Sequence, residues 1–178
     1  MIRRIYLCGA LALFLTAGAV LHAAETLRIV PITSDDSVVV TFELSDAYGD
    51  EVRQAISSGL KTTFTYDIEL RMYVPTWVDR TIATAVVDTS DQYDNLTRRH
   101  ILSRTVDGRV QDTMTTEDDA MARQWLTTLV RLPLCDTSKL DPNRDYYVRI
   151  SARARPHGGS LLGWANSVIG QAKFTFIR

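Results

Sequence analysis

The sequence predicts a mainly β chain, an antiparallel β-sandwich of immunoglobulin-like or C2-like type with two or three short helices. Three observations predict it. From Thr62 to Val74, Phe64, Tyr66, Ile68, Leu70, Met72 and Val74 take every second position, and Thr63, Thr65, Asp67, Glu69, Arg71 and Tyr73 fill the gaps. Side chains alternate across a strand, so this stretch carries one apolar and one polar face over roughly 40 Å. From Tyr146 to Arg155 the same alternation returns, with Tyr146, Val148, Ile150, Ala152 and Ala154 on one side. Between the apolar runs lie turn residues such as Ser34-Asp35-Asp36-Ser37, Asp107-Gly108 and Asp141-Pro142-Asn143.

The N-terminus stands apart from the fold. Arg3 and Arg4 precede an uncharged apolar run from Ile5 to Leu21, and His22-Ala23-Ala24 follows. That order predicts a secretory signal peptide over residues 1–24 and a single sandwich domain over 25–178. The alternative is a retained anchor in the inner membrane formed by residues 5–24, because the run approaches the length of a membrane span. Membrane contact is expected only in that case. Removing the segment leaves about 154 residues, enough for one core. With Arg3 and Arg4 gone, the formal charge of −1 becomes −3, which argues against nucleic-acid binding. Cys8 leaves too, so Cys135 has no disulfide partner within the chain. Beside Pro133 and Leu134 it reads as a small buried hydrophobe.

In the remaining chain, Leu27 to Ile32 and Val38 to Leu44 read as a hairpin. Ser45 to Ser58 changes to helical spacing through Val52, Ala55 and Ile56, with Ser45, Asp46 or Asp50 to cap it and Gly59 to stop it. After the Thr62 strand, Pro75-Thr76-Trp77 turns the chain. Thr81 to Thr89 returns it as a strand packed on both sides, and Asp88, Ser90 and Asp91 mark a turn. Tyr93 to Thr105 is the next strand, and Asp107-Gly108 is a hairpin signal before Arg109 to Thr113. Residues 62–113 therefore read as a four-stranded meander. Thr116 to Leu126 is a second helix capped by Thr116, with Met121, Ala122, Trp125, Leu126 and Leu129 as its buried stripe. Pro133 interrupts the chain. Leu161 to Ile169 reads as a short helix or amphipathic loop, and Ala172 to Ile177 as a closing strand.

The order of these features resembles the bacterial envelope family catalogued as domain of unknown function 4390. The matching pieces are the export segment, Phe42-Glu43-Leu44, Ser58-Gly59-Leu60, the Phe64 to Met72 alternation and Trp77-Val78-Asp79. Tyr93-Asp94-Asn95-Leu96-Thr97-Arg98, Leu132-Pro133-Leu134, Leu140 and Tyr146-Tyr147-Val148-Arg149-Ile150 complete the match. Leu161 to Arg178 departs from the pattern. The resemblance implies an exported, periplasmic bacterial protein with no established activity and no catalytic residue to carry over. Relatives are encoded near membrane sensor histidine kinases, which implies an envelope partner of that kind.

Several constellations invite chemistry. His157-Gly158-Gly159-Ser160 is similar to an oxyanion loop, but the chain has no Gly-x-Ser-x-Gly elbow, and a glycine turn is the plainer reading. Asp88, Asp91 and Asp94 recur every third residue, as loop carboxylates for calcium would. Asp67 and Glu69 share a face with Arg71, as carboxylates paired for acid–base work or, more plainly, as cross-strand ion pairs. Tyr147, Arg149, Arg153 and Arg155 form a basic and aromatic stripe. It is the candidate partner surface, suited to an acidic protein, a glycan or an anionic lipid, unless it pairs with Asp67 and Glu69. His100 and His157 lack a second histidine or cysteine at ligand spacing, so no metal and no cofactor is expected. Asn95-Leu96-Thr97 is a glycosylation sequon, relevant only in a eukaryotic secretory pathway. Trp77, Trp125 and Trp164 read as core anchors or strand-end packing. The functional expectation is a non-enzymatic, protein-binding or accessory domain for a sensor kinase or envelope assembly. The alternatives are a periplasmic carrier of a small apolar ligand or lipid and, third, a hydrolase using His157 and Ser160.

Overall fold

The computed structural model describes residues 26–34, 36–45, 47–156 and 167–177. The expected signal segment, the His157 to Ser160 turn, Trp164 and the run from Leu161 to Asn166 lie outside the described residues.

The alternation of Thr62 to Val74 becomes β3, Thr62–Met72. Phe64, Tyr66, Ile68 and Leu70 are all buried, while the residues between them are half-exposed. β3 lies between β4 (Arg80–Asp94) and β8 (Arg144–Pro156), antiparallel to both. β5 (Arg99–Val106) and β6 (Arg109–Thr116) extend one side, and β9 (Val168–Phe176) the other. Among the described residues this gives a six-stranded sheet in the order β6-β5-β4-β3-β8-β9. The four strands of the expected meander are present, with the turn between the second and third later than expected. Its last turn has Asp107 at φ 50° and Gly108 at φ 76°, as a type I′ hairpin requires.

β1 (Thr26–Thr33) and β2 (Ser37–Ser45) form the expected hairpin. They join β7 (Thr128–Asp136) in a three-stranded sheet of order β1-β2-β7. Val38, Val40, Phe42 and Leu44 of β2 face the buried side of β3, and the rings of Phe42 and Tyr66 lie 4.7 Å apart. The core is thus a sandwich filling, as the alternating patterns require. One flank is closed where β1 meets β9. A Cβ on Gly170 would meet the Leu27 Cβ and carbonyl oxygen, both at 3.1 Å.

Two helices bridge the sheets. α1 (Asp50–Ser57) ends as expected at Gly59, φ 84°. Gly49 rather than Ser45 or Asp50 holds its N-cap, without a side-chain bond; Asp46 lies outside the described residues. α2 (Asp119–Thr127) starts later than its periodicity suggests. Asp118 rather than Thr116 caps it, accepting from the Ala120 and Met121 N–H groups, while Thr116 accepts from the Asp118 N–H. Ala122 and Leu126 are buried, but Met121 is 43 % exposed. The Tyr66 hydroxyl donates to the Leu126 carbonyl at 2.6 Å, and Thr89 donates to the same oxygen at 2.9 Å. A short 3-10 turn, Thr137–Lys139, follows β7.

Four strand expectations are corrected. Asp88, Ser90 and Asp91 do not turn; they continue β4, where Ser90 and Asp91 are buried and bonded within the sheet. The turn comes later, at residues 95–98, held by the Asp94 carboxylate accepting from Leu96 N–H and Thr97 Oγ1. β4 is not packed on both sides either, since Val86 on its outer face is 40 % exposed. Pro133 does not interrupt the chain. It sits in β7, an edge strand that pairs with β2 through two register shifts, the position where a missing N–H is tolerated. Val168 and Ile169 belong to β9 rather than to a helix or loop.

Gly170→Val is expected to destabilise the fold by about 1–3 kcal/mol through overpacking at the β1–β9 contact, read as a lower urea midpoint at unchanged slope. Tyr66→Phe is expected to cost about 1 kcal/mol for the lost buried hydrogen bond, by the same measurement.

Candidate functional site

The polar residues of β3 face outward with those of β8, so the outer face of the larger sheet holds the predicted stripe. Register decides its electrostatics. Glu69 lies opposite Arg149, and Thr65 opposite Arg153. Arg153 bonds diagonally to Asp67, and Arg71 reaches Glu69 at 3.4 Å. Asp67 and Glu69 are therefore cross-strand and same-strand ion-pair partners on a wet face. Arg149 and Arg155 are exposed and have no ion-pair partner among the described residues. Tyr147 donates to Asp79 Oδ2 at 2.7 Å. The stripe is thus half paired within the molecule and half available.

Asp79 fixes the loop between β3 and β4. Its carboxylate accepts from Tyr147 and from the Val74 N–H at 3.1 Å, and its carbonyl accepts from Arg71 at 3.1 Å. The Tyr147 hydrogen bond, then the Val74 N–H, hold its carboxyl below the usual range. Thr76 stands at φ 63°, an unfavourable conformation for a β-branched residue. The loop so braced presents Trp77, 82 % exposed, and Val78, 75 % exposed. This corrects the reading of Trp77 as packing. Trp125 is half-buried, with the Arg104 guanidinium 4.3 Å from its ring centroid. Beside the loop, Tyr73, Asp145, Tyr147, Lys173 and Phe174 line a cleft of about 450 Å³.

A second cluster lies on the inner side of the larger sheet. His100 Nδ1 is 2.8 Å from Asp91 Oδ2, and its Nε2 is 2.8 Å from Asp119 Oδ1. His100 and Asp91 are buried, while the Asp119 side chain is 89 % exposed. A neutral imidazole carries one N–H, so both contacts are hydrogen bonds only when the ring is protonated or one carboxyl is. Burial raises the Asp91 carboxyl, and its hydrogen bond to His100 opposes the rise. A cleft of about 420 Å³ opens beside the cluster, lined by Tyr48, Arg53, Tyr93, His100 and Asp119. Both ring nitrogens face carboxylates, so in this arrangement His100 offers no lone pair to a substrate proton.

The calcium reading of Asp88, Asp91 and Asp94 does not fit the geometry. Asp88 turns outward to Thr65 at 2.7 Å, Asp91 turns inward to His100, and Asp94 ties the next turn. Among the described residues, no three or more His, Cys, Asp or Glu side chains are placed to hold one metal ion together. Burial pushes the Cys135 thiol up, the direction of an unreactive cysteine. Sequence reasoning missed the Asp91–His100–Asp119 cluster. One signal was available: His100 shares strand parity with Leu102, and Asp91 with Val87, so each was due on the inner face and in need of a partner.

His100→Ala leaves Asp91 buried without its partner and is expected to cost about 3–5 kcal/mol. Asp119→Asn, at an exposed position, is expected to cost under about 1 kcal/mol. Parallel urea titrations of the two variants check the contrast.

Comparison with curated proteins and with solved structures finds no match. The family model described as a domain of unknown function (DUF4390) matches residues 22–157. That span takes in every strand from β1 to β8, the outer face and the His100 cluster, so the chain belongs to the DUF4390 family.

Proposed function

We infer that this domain is a non-enzymatic docking module of the bacterial cell envelope that binds a protein partner through the outer face of its larger sheet. The observation that carries the reading is the braced loop at Trp77. An exposed tryptophan is held out by three hydrogen bonds through Asp79, one of them from Tyr147, whose strand face also carries Arg149, which has no ion-pair partner among the described residues. Tryptophan, tyrosine and arginine dominate protein-binding hot spots, and a fixed presentation lowers the ordering cost of binding. The partner is an envelope protein with an acidic, apolar recess, in the class of a membrane sensor kinase or an assembly factor. The charge and length of residues 1–24 support export to that compartment. Among the described residues, no helix is long and apolar enough to cross a membrane.

The filled interior favours docking over carriage of an apolar ligand. Phe42, Phe64, Tyr66, Ile68, Leu70, Leu126 and Ile150 occupy the space between the sheets, each no more than 1 % exposed. The engagement of both His100 nitrogens supports the non-enzymatic part of the reading.

In-cell crosslinking of tagged full-length chain in its native envelope is expected to yield one dominant partner. Trp77→Ala together with Arg149→Gln should reduce its recovery at least about tenfold with no change in thermal midpoint. Equal recovery with the variant, or recovery of the protein alone, overturns the reading.

A further inference from the structure

α2 is fastened to the larger sheet at both ends, by bonds of different kinds. At its last turn the Leu126 carbonyl accepts from Tyr66 and Thr89, and the Trp125 indole donates to the Ser103 carbonyl at 3.3 Å. Those donors neither gain nor lose a proton near neutrality. At its first turn the tie is Asp119, 2.8 Å from His100 Nε2. Between the two ends, Ala122 and Leu126 are buried.

The first-turn tie depends on a proton. Asp91 Oδ1 is buried with no hydrogen-bond partner among the described residues, so the bond from His100 to Oδ2 is the one that satisfies this carboxylate. Leaving it unmade is costly, which keeps one ring proton on Nδ1. The proton that comes and goes is therefore the one on Nε2. With it, each ring N–H donates to a carboxylate. Without it, a lone pair faces the Asp119 oxygen and the contact turns repulsive. The Asp119 side chain is largely exposed, so it then turns to water at little cost.

The other charged and titratable groups around the ring leave this pair to itself. Tyr93 of β4 packs its ring 4.8 Å from the imidazole. Tyr48, before α1, and Asp50 and Arg53 of α1 share the cleft with His100. The nearby cations turn to other partners: Arg53 to Asp50, Arg99 to Glu117, and Arg123 over the Tyr48 ring. Asp118 is committed to the α2 cap. Among the described residues, Asp119 has no ion-pair partner besides His100.

We propose that Asp91, His100 and Asp119 form a proton-dependent latch on the first turn of α2, closed while His100 carries both ring protons and open once Nε2 is bare. Opening loosens the first turn, uncovers the His100 side of the 420 Å³ cleft and leaves the last turn held by Tyr66 and Thr89. The latch holds on the acid side of the His100 titration, while Asp119 is ionised, and is lost as pH rises through it. It lies on the inner side of the sheet, and its failure or success is independent of docking through Trp77.

The test uses the full chain. Ring nitrogen shifts in NMR follow the protonation of His100 from about pH 5 to about pH 9. Amide protection factors at Ala122 and Arg123, corrected for the intrinsic pH dependence of exchange, follow the first turn of α2. In the wild-type chain they should fall at least about threefold as the ring loses its proton, while protection at Leu126 and Thr127 holds. Asp119→Asn presents either a carbonyl oxygen or an amide N–H to Nε2, so its protection should stay level across the titration. Asp119→Ala removes the latch and should keep first-turn protection low throughout. Level wild-type protection across the ring titration overturns the proposal. So does a fall that persists in Asp119→Asn, or a ring that keeps one protonation state over the whole range.

Discussion

The period-two burial of β3 is the constraint on which the rest of the fold depends. Its inner side chains touch β2 across the core, and its backbone sets the register of β4 and β8. A slip of one residue would turn Phe64, Tyr66, Ile68 and Leu70 outward and bring Thr65, Asp67 and Glu69 in. At roughly 1.5–3 kcal/mol for each large side chain, that loss rivals the about 5–15 kcal/mol that holds a domain together. Register is therefore not negotiable. The same register places Arg153 within reach of Asp67 and Glu69 across from Arg149. Core packing decides which surface charges meet and which remain unmatched.

The features legible in the sequence were those that repeat. β3 and β8 alternate over their whole length, and Asp107-Gly108 carries the two positive φ angles of its turn in its own composition. The ion pairing of the stripe followed from the alternation. β7 escaped notice because Pro133 and two register shifts break its pattern. Asp88, Ser90 and Asp91 have turn composition, which ends the expected strand early, yet each bonds a neighbour across the sheet: Asp88 with Thr65, Ser90 with Ser103, Asp91 with His100. Residues of that kind do form turns, but a strand neighbour with a matching donor is an equal alternative for them. The His100 cluster joins residues 9 and 19 positions apart, and no short motif spans such gaps. Trp77 was misplaced because an aromatic residue next to a strand end usually packs. Its exposure here follows from the hydrogen bonds of Asp79, five residues from the Val74 it anchors.

The two faces of the larger sheet differ in kind. The outer face is polar and already half neutralised from within, so its selectivity rests on a few residues the sheet leaves unmatched and on one loop held rigid at its base. The inner face is apolar where the small sheet covers it. Where that cover ends, the sheet is finished with a buried histidine between carboxylates at one place and with a methionine-lined hollow at another. α2 borders both, through Asp119 at its first turn and Met121 and Trp125 farther along. One short helix therefore borders both a buried, hydrogen-bonded histidine and a half-covered apolar hollow.

That helix passes into β7 without an intervening residue: α2 ends at Thr127 and β7 begins at Thr128. Just before the junction, Tyr66 and Thr89 clamp the Leu126 carbonyl from the opposite sheet. There is no slack in which to absorb a change of chain length. An extra residue at the junction would rotate Leu129 and Leu132 out of the core and detach β7 from β2. By contrast, the turn at residues 95–98 projects into solvent, with Leu96 95 % exposed. An engineered insertion should therefore be tolerated at that solvent-facing turn and rejected at the helix–strand joint, where an added residue has nowhere to go.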